Sequence, residues 1–405
     1  KIIFVGSNVD ANAYICGDAK ILDMSGKYVY SGFTDGHQHL AQIGSQGKRV
    51  DLYGIDTLAE TAAAIKVWAD KIPDGEWVFG GGWIETNWPE KRFINKHDVD
   101  EFTADKPLFV QRSDGVSGFV NSKALKMMGI TNDSPDPYGG SYERDENGEL
   151  TGYLIANAQN PFMEIAYNND DAYVRDSLEK GLKLNVSLGW TNIHDAMQLL
   201  QDIRLLKELN AEGKLLHRVY GMGDLTQAFE IMKEGRHFSD NDMYTLRSLK
   251  MYLDGTLGSR GAALIENYSD ADHNGLLVQT KEELKEVMQE ALKQGFQIGT
   301  HAIGDRANRE LLNWYEESYN EVLLSERDAE VQEPRWRIEH AQNIHPDDQQ
   351  RFIDIGIIPS MQASHAIGDL HFAEERLGLD RLKYAYPWKT MVDFGAKVIG
   401  GSDAP

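Results

Sequence analysis

Two histidines stand one residue apart in the stretch GFTDGHQHL, residues 32–40: His37 and His39, just behind Asp35. In an extended chain, residues i and i+2 leave the same face. Their Cα atoms lie about 6.6 Å apart at roughly 3.3 Å per residue. Two imidazoles leaning together across that gap can share one cation at the roughly 2.0–2.1 Å reach of a Zn–N bond. Taken alone, such a pair also arises by chance on a solvated strand. Four further groups give it weight. His301 closes FQIGTH, His340 closes WRIEH and Asp403 closes KVIGGSD, while Lys250 opens KMYLDG. Each has an ordinary reading too: His301 and His340 as hydrogen-bonded core histidines, Asp403 as a helix N-cap. Together, His37, His39, His301, His340 and Asp403 all fall at the carboxyl ends of strand-like segments, and coincidence is a poor account of that.

The segments that must position them recur along the chain. After residue 185, short apolar, β-branched stretches alternate with helical patterns: GWTNIHDA, HRVYGMGD, LKMYLDG, FQIGTHAIGD, WRIEHAQ, GIIPSMQA and KVIGGSDAP. Amphipathic helices are predicted at 281–295 and 305–323 by apolar residues at helical spacing. With GFTDGHQHL in front, eight strands alternate with helices. That pattern predicts a parallel sheet covered on its outer face, an α/β (β/α)8 barrel, whose strand ends converge on one mouth. Residues 1–30 read as part of a small β-sandwich. Residues 31–405 read as the barrel, and 41–180 as an insertion covering its mouth, since no single strand-to-helix connection is that long. The insertion has a helix of its own (LAETAAAIKVWADKI), strands in WVFGGGW and PLFVQRSDG, and a hairpin in GGSYERDENGELTGYLI. The eighth strand is followed directly by Pro405, without a helix to bury its outer face. The natural polypeptide is therefore expected to continue.

Composition narrows the class. Asp and Glu number 64 against 41 Lys and Arg, a formal charge of −23 over 405 residues. No run of basic residues offsets this, so nucleic acid and anionic membranes are poor partners. No apolar run reaches the roughly 18 residues of a membrane span. The single cysteine, Cys16, excludes an internal disulfide and fits the cytoplasm without excluding the periplasm. Cys16 itself reads as a small buried residue of the first sheet. A homodimer stays open.

The set GFTDGHQHL, KMYLDGTLGSRGAAL, THAIGDRAN, RIEHAQ, SMQASHA and GGSDAP resembles the amidohydrolase superfamily, specifically its amidohydrolase-3 branch, which includes N-substituted formamide deformylases. The likeness runs over essentially the whole chain, including GGGWIETNWPE and DGVSGFVNSKAL in the insertion. It implies a TIM barrel and a metal centre of one or two ions, zinc by default, on His37, His39, Lys250, His301, His340 and Asp403. It also makes Lys250 a candidate carboxylated lysine. Chemically this requires a neutral amine, which burial near a metal favours. The bland alternative is an unmodified Lys250 paired with Asp254. Two departures stand out: Ser31-Gly32 replaces the family's Pro-Gly before strand one, and Val116 stands where the insertion often carries a histidine.

The implied activity is metal-dependent hydrolysis of the C–N bond of a small amide or formamide, with Asp403 as general base and then general acid. Asp35 reads as orienting a ligand histidine or as a strand-end cap; His194 and Asp195 are either supports of the centre or structural. Trp83, Asp114, Asn121, Arg260, Gln362 and His365 are the substrate-binding candidates, Trp83 and His365 first. For Trp83, burial in the insertion core is the competing reading. Alternatives are a mononuclear deaminase, a lactonase, or a non-catalytic binding or regulatory protein on an inactivated barrel.

Overall fold

Largely buried strand-forming runs become eight parallel strands in the computed structural model, which describes residues 2–331 and 333–405. They are β1 (Phe33–Gln38), β2 (Trp190–Gln198), β3 (Arg218–Asp224), β4 (Tyr244–Tyr252), β5 (Gln297–Ala302), β6 (Arg337–His340), β7 (Ile358–Gln362) and β8 (Ile399–Gly401). Each pairs with its successor in chain order. The sheet curls until β8 lies against β1. There Asp403 N donates to His37 O at 2.7 Å and His39 N to Ala404 O at 2.8 Å. The result is a nearly closed (β/α)8 barrel. Two glycines permit the closing approach. A Cβ on Gly36 would sit 2.2 Å from Ile399 Cγ2, and one on Gly401 would sit 2.6 Å from His37 N.

The helices follow from their sequences. Lys281–Gln294 opens on a Thr280/Glu283 capping box and stops at left-handed Gly295. It buries Leu284, Val287, Met288, Ala291 and Leu292, and Asp305–Glu321 buries Leu311, Leu312, Trp314 and Tyr315. Both faces feed one core shared with the strands. Among the described residues no helix is long and apolar enough to cross a membrane.

The insertion forms its own six-stranded mixed sheet: Val50–Asp51, Val78–Trp83, Leu108–Arg112, Ser117–Val120, Leu150–Ala156 and Gly140–Arg144, in that spatial order. The expected hairpin is present, as Gly140–Arg144 against Leu150–Ala156. The barrel resumes earlier than position 180. Helix Asp171–Ser187 puts Val174, Leu178 and Leu182 into the barrel core. The insertion touches loops at the carboxyl ends of the barrel strands. Thr256 Oγ1 donates to Asp114 Oδ2 at 3.0 Å, and Tyr53 hydroxyl to Pro405 O at 3.4 Å.

Residues 2–30 differ from the expected β-structure. They hold a short helix (Asn8–Ala11) and a 3-10 turn (Asn12–Tyr14) but no strand. Cys16 is exposed rather than buried. Ile2, Ile3, Ile21, Leu22 and Val29 are exposed as well. An isolated ribbon cannot bury such side chains without a second layer, and none lies against them among the described residues.

The segment following β1 is fixed by a close helix crossing. Helix Leu40–Ser45 lies against Asp171–Ser187 so tightly that a Cβ on Gly44 would fall 1.7 Å from Ser177 O. We expect Gly44→Val to cost at least about 1–3 kcal/mol, the usual price of overpacking. Thermal unfolding followed by circular dichroism should show a midpoint lower by several degrees; an unchanged midpoint would contradict the crossing.

Candidate metal centre

Asp403 is the hub at the barrel mouth. Its Oδ1 lies 3.3 Å from His37 Nε2 and 3.1 Å from His39 Nε2. Its Oδ2 lies 3.2 Å from His365 Nε2 and 3.8 Å from His340 Nδ1. The His37 and His340 rings are 5.2 Å apart and those of His301 and His340 4.4 Å. Lys250 Nζ reaches to 3.2 Å from His37 Nε2. The structure thus brings together all six residues predicted for a metal. Ligand atoms of His37, His340 and Asp403 fall within 4.8 Å of one another.

The backbone aims these groups. His39 lies past the end of β1 and caps helix Leu40–Ser45, so the pair is not two residues of one strand. Its Nδ1 contacts Ala196 O at 3.1 Å, leaving Nε2 for Asp403. His340 and Asp403 adopt left-handed φ values of 72° and 59°, and so do Ala341 (43°) and Met197 (67°) at neighbouring strand ends. Non-glycine residues in this region cost on the order of 1 kcal/mol or more each, and such strain clusters at functional sites.

Electrostatics suit a cation. Burial, reinforced by the Lys250 charge, lowers the pKa of His37 and takes that of His301 to about 3. Burial and His301 lower that of His340. These rings are neutral, with lone pairs to offer. Burial opposes ionisation of Asp403, but the hydrogen-bond contacts of His365 and His39 help hold its carboxyl well below the usual range. Burial brings the Lys250 ammonium down to about 8, against the pull of Glu339 and Asp403. Neutral imidazoles around an ionised carboxylate form a donor set that fits a divalent ion.

A layer beneath the centre carries charge that sequence reading missed. Glu339 Oε2 stands 2.5 Å from His37 Nδ1. Arg337 clamps Glu339 with Nε (2.6 Å) and Nη2 (2.8 Å) and reaches His194 Nδ1 at 2.7 Å. The available signal was an Arg and a Glu two apart on a buried strand, which face the same side. His194 therefore lines the barrel interior beside Arg337. Asp195 ties β2 to the helix after β1, its Oδ1 accepting from Leu40 N at 2.7 Å. Asp35 clamps the closing edge through Ser402 N (2.9 Å) and Oγ (2.6 Å). Asp254 accepts from the backbone N–H groups of Ala263, Ile303 and Gly304 and approaches His301 Nε2 at 3.5 Å, so it is not Lys250's partner.

The substrate candidates scatter. His365 lies at the centre, and Gln362 Oε1 is 2.8 Å from His340 Nδ1. Asp114 joins Arg112 (2.8 Å) to Thr256 (3.0 Å) where insertion and barrel meet. Trp83 is fully buried in the insertion core beside Trp88, Phe93 and Tyr153. The glycine-rich run before it gave no alternation from which its facing could be read. Asn121 caps helix Ser122–Met127 and spends its amide on Leu108, Ala124, Thr103 and Lys106. Arg260 pairs with Asp270 at 2.8 Å and lines a cavity of about 320 Å³ with Glu85, Phe93, Glu143 and Arg376. Groups not foreseen lie near the centre: the Tyr252 ring stands 5.8 Å from that of His301, and its hydroxyl contacts Met197 Sδ at 3.2 Å.

Comparison with known proteins shows the family. The sequence profile of the amidohydrolase family matches residues 20–405. The whole chain aligns at 28% identity with N-substituted formamide deformylase of Arthrobacter pascens, over 426 residues and 76% of that enzyme. It aligns at 30% identity over 427 residues with Protein LONG AFTER FAR-RED 3 of Arabidopsis thaliana, covering 70% of that protein. A solved structure of an uncharacterized metal-dependent hydrolase from Pyrococcus furiosus superposes with a TM-score of 0.69 at 26% identity, over 98% of this chain and 77% of that one.

The buried amine has a signature in stability. An unfolded lysine keeps its proton to roughly pH 10.4, whereas folded Lys250 releases it at about 8. Between those values the unfolded chain binds more protons, so stability rises with pH. In metal-free, CO2-free protein, Lys250→Met should be more stable than the parent below pH 8, by an amount on the order of 3 kcal/mol from the linkage alone. The advantage should vanish as pH rises to about 10.4. Urea unfolding of both proteins across that range checks it; a pH-independent difference would contradict the lowered pKa of the buried amine.

Proposed function

The chain belongs to the amidohydrolase family and is a metal-dependent hydrolase, and on that premise we propose that it cleaves the C–N bond of a small amide or N-formyl amine. The observation that carries this reading is Asp403, an ionised carboxylate within 3.3 Å of His37, His39 and His365 nitrogens. His37, His39, His301, His340 and Asp403 would hold a divalent ion, zinc by donor preference. Lys250 would join them as a carbamate formed by its neutral amine with CO2. Bound there, the ion supplies Lewis acidity and makes water acidic enough to react near neutral pH.

The rest of the reaction falls to the chain's own groups. Asp403 takes the proton of the attacking water at a carboxylate oxygen as the C–O bond forms. It returns that proton to the amide nitrogen as the C–N bond breaks, so that carboxylic acid and amine leave together. His365 touches the same carboxylate from the solvent side. Burial disfavours its charged form, but the bond to Asp403 raises its pKa overall, so it holds a proton where the leaving nitrogen departs. Asp114 and Thr256 keep the insertion against the loop after β4. The relative from Arthrobacter pascens, a deformylase of N-substituted formamides by name, supports the formamide class.

A mononuclear deaminase is the second reading, favoured by the compact His37, His340 and Asp403 trio, which suits one ion. Elemental analysis of the purified protein, joined to a screen of N-formyl and N-acyl amines, separates the two. We expect zinc at one or two per chain, with amine and acid released in equal amounts. Asp403→Ala should reduce kcat by at least about 100-fold, the usual worth of a general base. One zinc per chain with ammonia released from heterocyclic amines, and no amide cleavage, would replace this reading with deamination.

A further inference from the structure

We propose that Glu339, held by Arg337, fixes the tautomer of His37: the proton sits on Nδ1 and the Nε2 lone pair faces the metal centre. The inference rests on the metal-centre reading above. A ligating imidazole carries one proton, on the nitrogen that does not bind. The contacts say which. At Nδ1 the carboxylate of Glu339, an acceptor, stands at 2.5 Å. Nε2 turns instead toward the mouth, with Lys250 Nζ 3.2 Å away. Asp403 Oδ1 competes for a proton at Nε2, but from 3.3 Å it makes no hydrogen bond of comparable strength.

Arg337 is the reason Glu339 stays an acceptor. Its Nε and Nη2 donate to both carboxylate oxygens, and Nη2 also donates to Gly36 O (2.8 Å) and Ser360 Oγ (3.0 Å). The guanidinium thus spans β1, β6 and β7 while Nη1 faces His194 on β2. Both charged side chains are fully buried. A purely structural account fits poorly, because a buried ion pair is commonly no more stabilising than apolar residues of similar volume, and barrel interiors are ordinarily filled by such residues. A carboxylate behind a ligand histidine orients the ring, makes the ligand nitrogen more basic and typically contributes 10- to 100-fold to metal affinity. Glu339 and Arg337 are positioning residues in this account and touch no substrate.

The test separates packing from positioning. Arg337→Met/Glu339→Leu removes both charges together, so no orphan charge remains. We expect its thermal midpoint to stay near that of the parent, while zinc affinity, measured by competition with a chromophoric chelator, falls 10- to 100-fold. Glu339→Gln keeps one acceptor oxygen and should lose less. In zinc-free parent protein labelled with 15N-histidine, His37 should show a protonated Nδ1 and an unprotonated Nε2. Unchanged zinc affinity in the folded double variant, or a proton on Nε2 in the parent, would overturn the proposal. Should the double variant not fold, Glu339→Gln with parental zinc affinity and the spectrum of the parent still decide it. Parent protein that takes up no zinc, yet shows the Nδ1 proton, would instead remove the metal-centre reading and leave the tautomer assignment standing.

Discussion

Two backbone hydrogen bonds hold the edge where the first barrel strand meets the last. Asp403 N donates to His37 O, and His39 N to Ala404 O. His37, His39 and Asp403 all lie along that edge. It sets the Asp403 carboxylate against two imidazoles that arrive from the other end of the chain, and Asp35 reinforces it through Ser402. Glycine at positions 36 and 401 keeps the strands close enough for those bonds. A side chain at either position would push the carboxylate away from the imidazoles. The closing geometry and the chemistry are therefore one constraint.

The interior beneath the mouth accepts an energetic disadvantage for the sake of arrangement. Arg337, Glu339, His37 and Lys250 are all buried in a region where aliphatic side chains would pack more cheaply. Left-handed backbone at His340 and Asp403 adds strain. Such costs persist when the surrounding structure over-determines them, and here the large shared core of strands and helices does so.

Much of this was legible in the sequence, for physical reasons that differ by element. Strands buried on both faces must be continuously apolar, so their runs and intervening amphipathic helices announced the barrel. His301, His340 and Asp403 were legible because strand carboxyl ends converge. Glu339 was overlooked although it adjoins His340. Strict alternation would send neighbours 339 and 340 to opposite faces, and the left-handed turn at His340 overrides it by redirecting that ring to the mouth. Trp83 and Asn121 sat near promising motifs, but their burial is decided by the insertion's own fold, which no local pattern encodes. The first thirty residues carried strand-like composition whose realisation requires a second layer to pack upon.

The Asp35–Ser402 bond joins residues 367 positions apart. Pairings of such separation form late, since loop closure must be met before the contact rewards it. During synthesis, which proceeds from the amino end, His37 and His39 emerge long before any partner at the seam exists. A polypeptide halted before residue 403 carries them as ordinary side chains on an open sheet. In the proposed arrangement the donor set is therefore complete only once the final strand has joined the first.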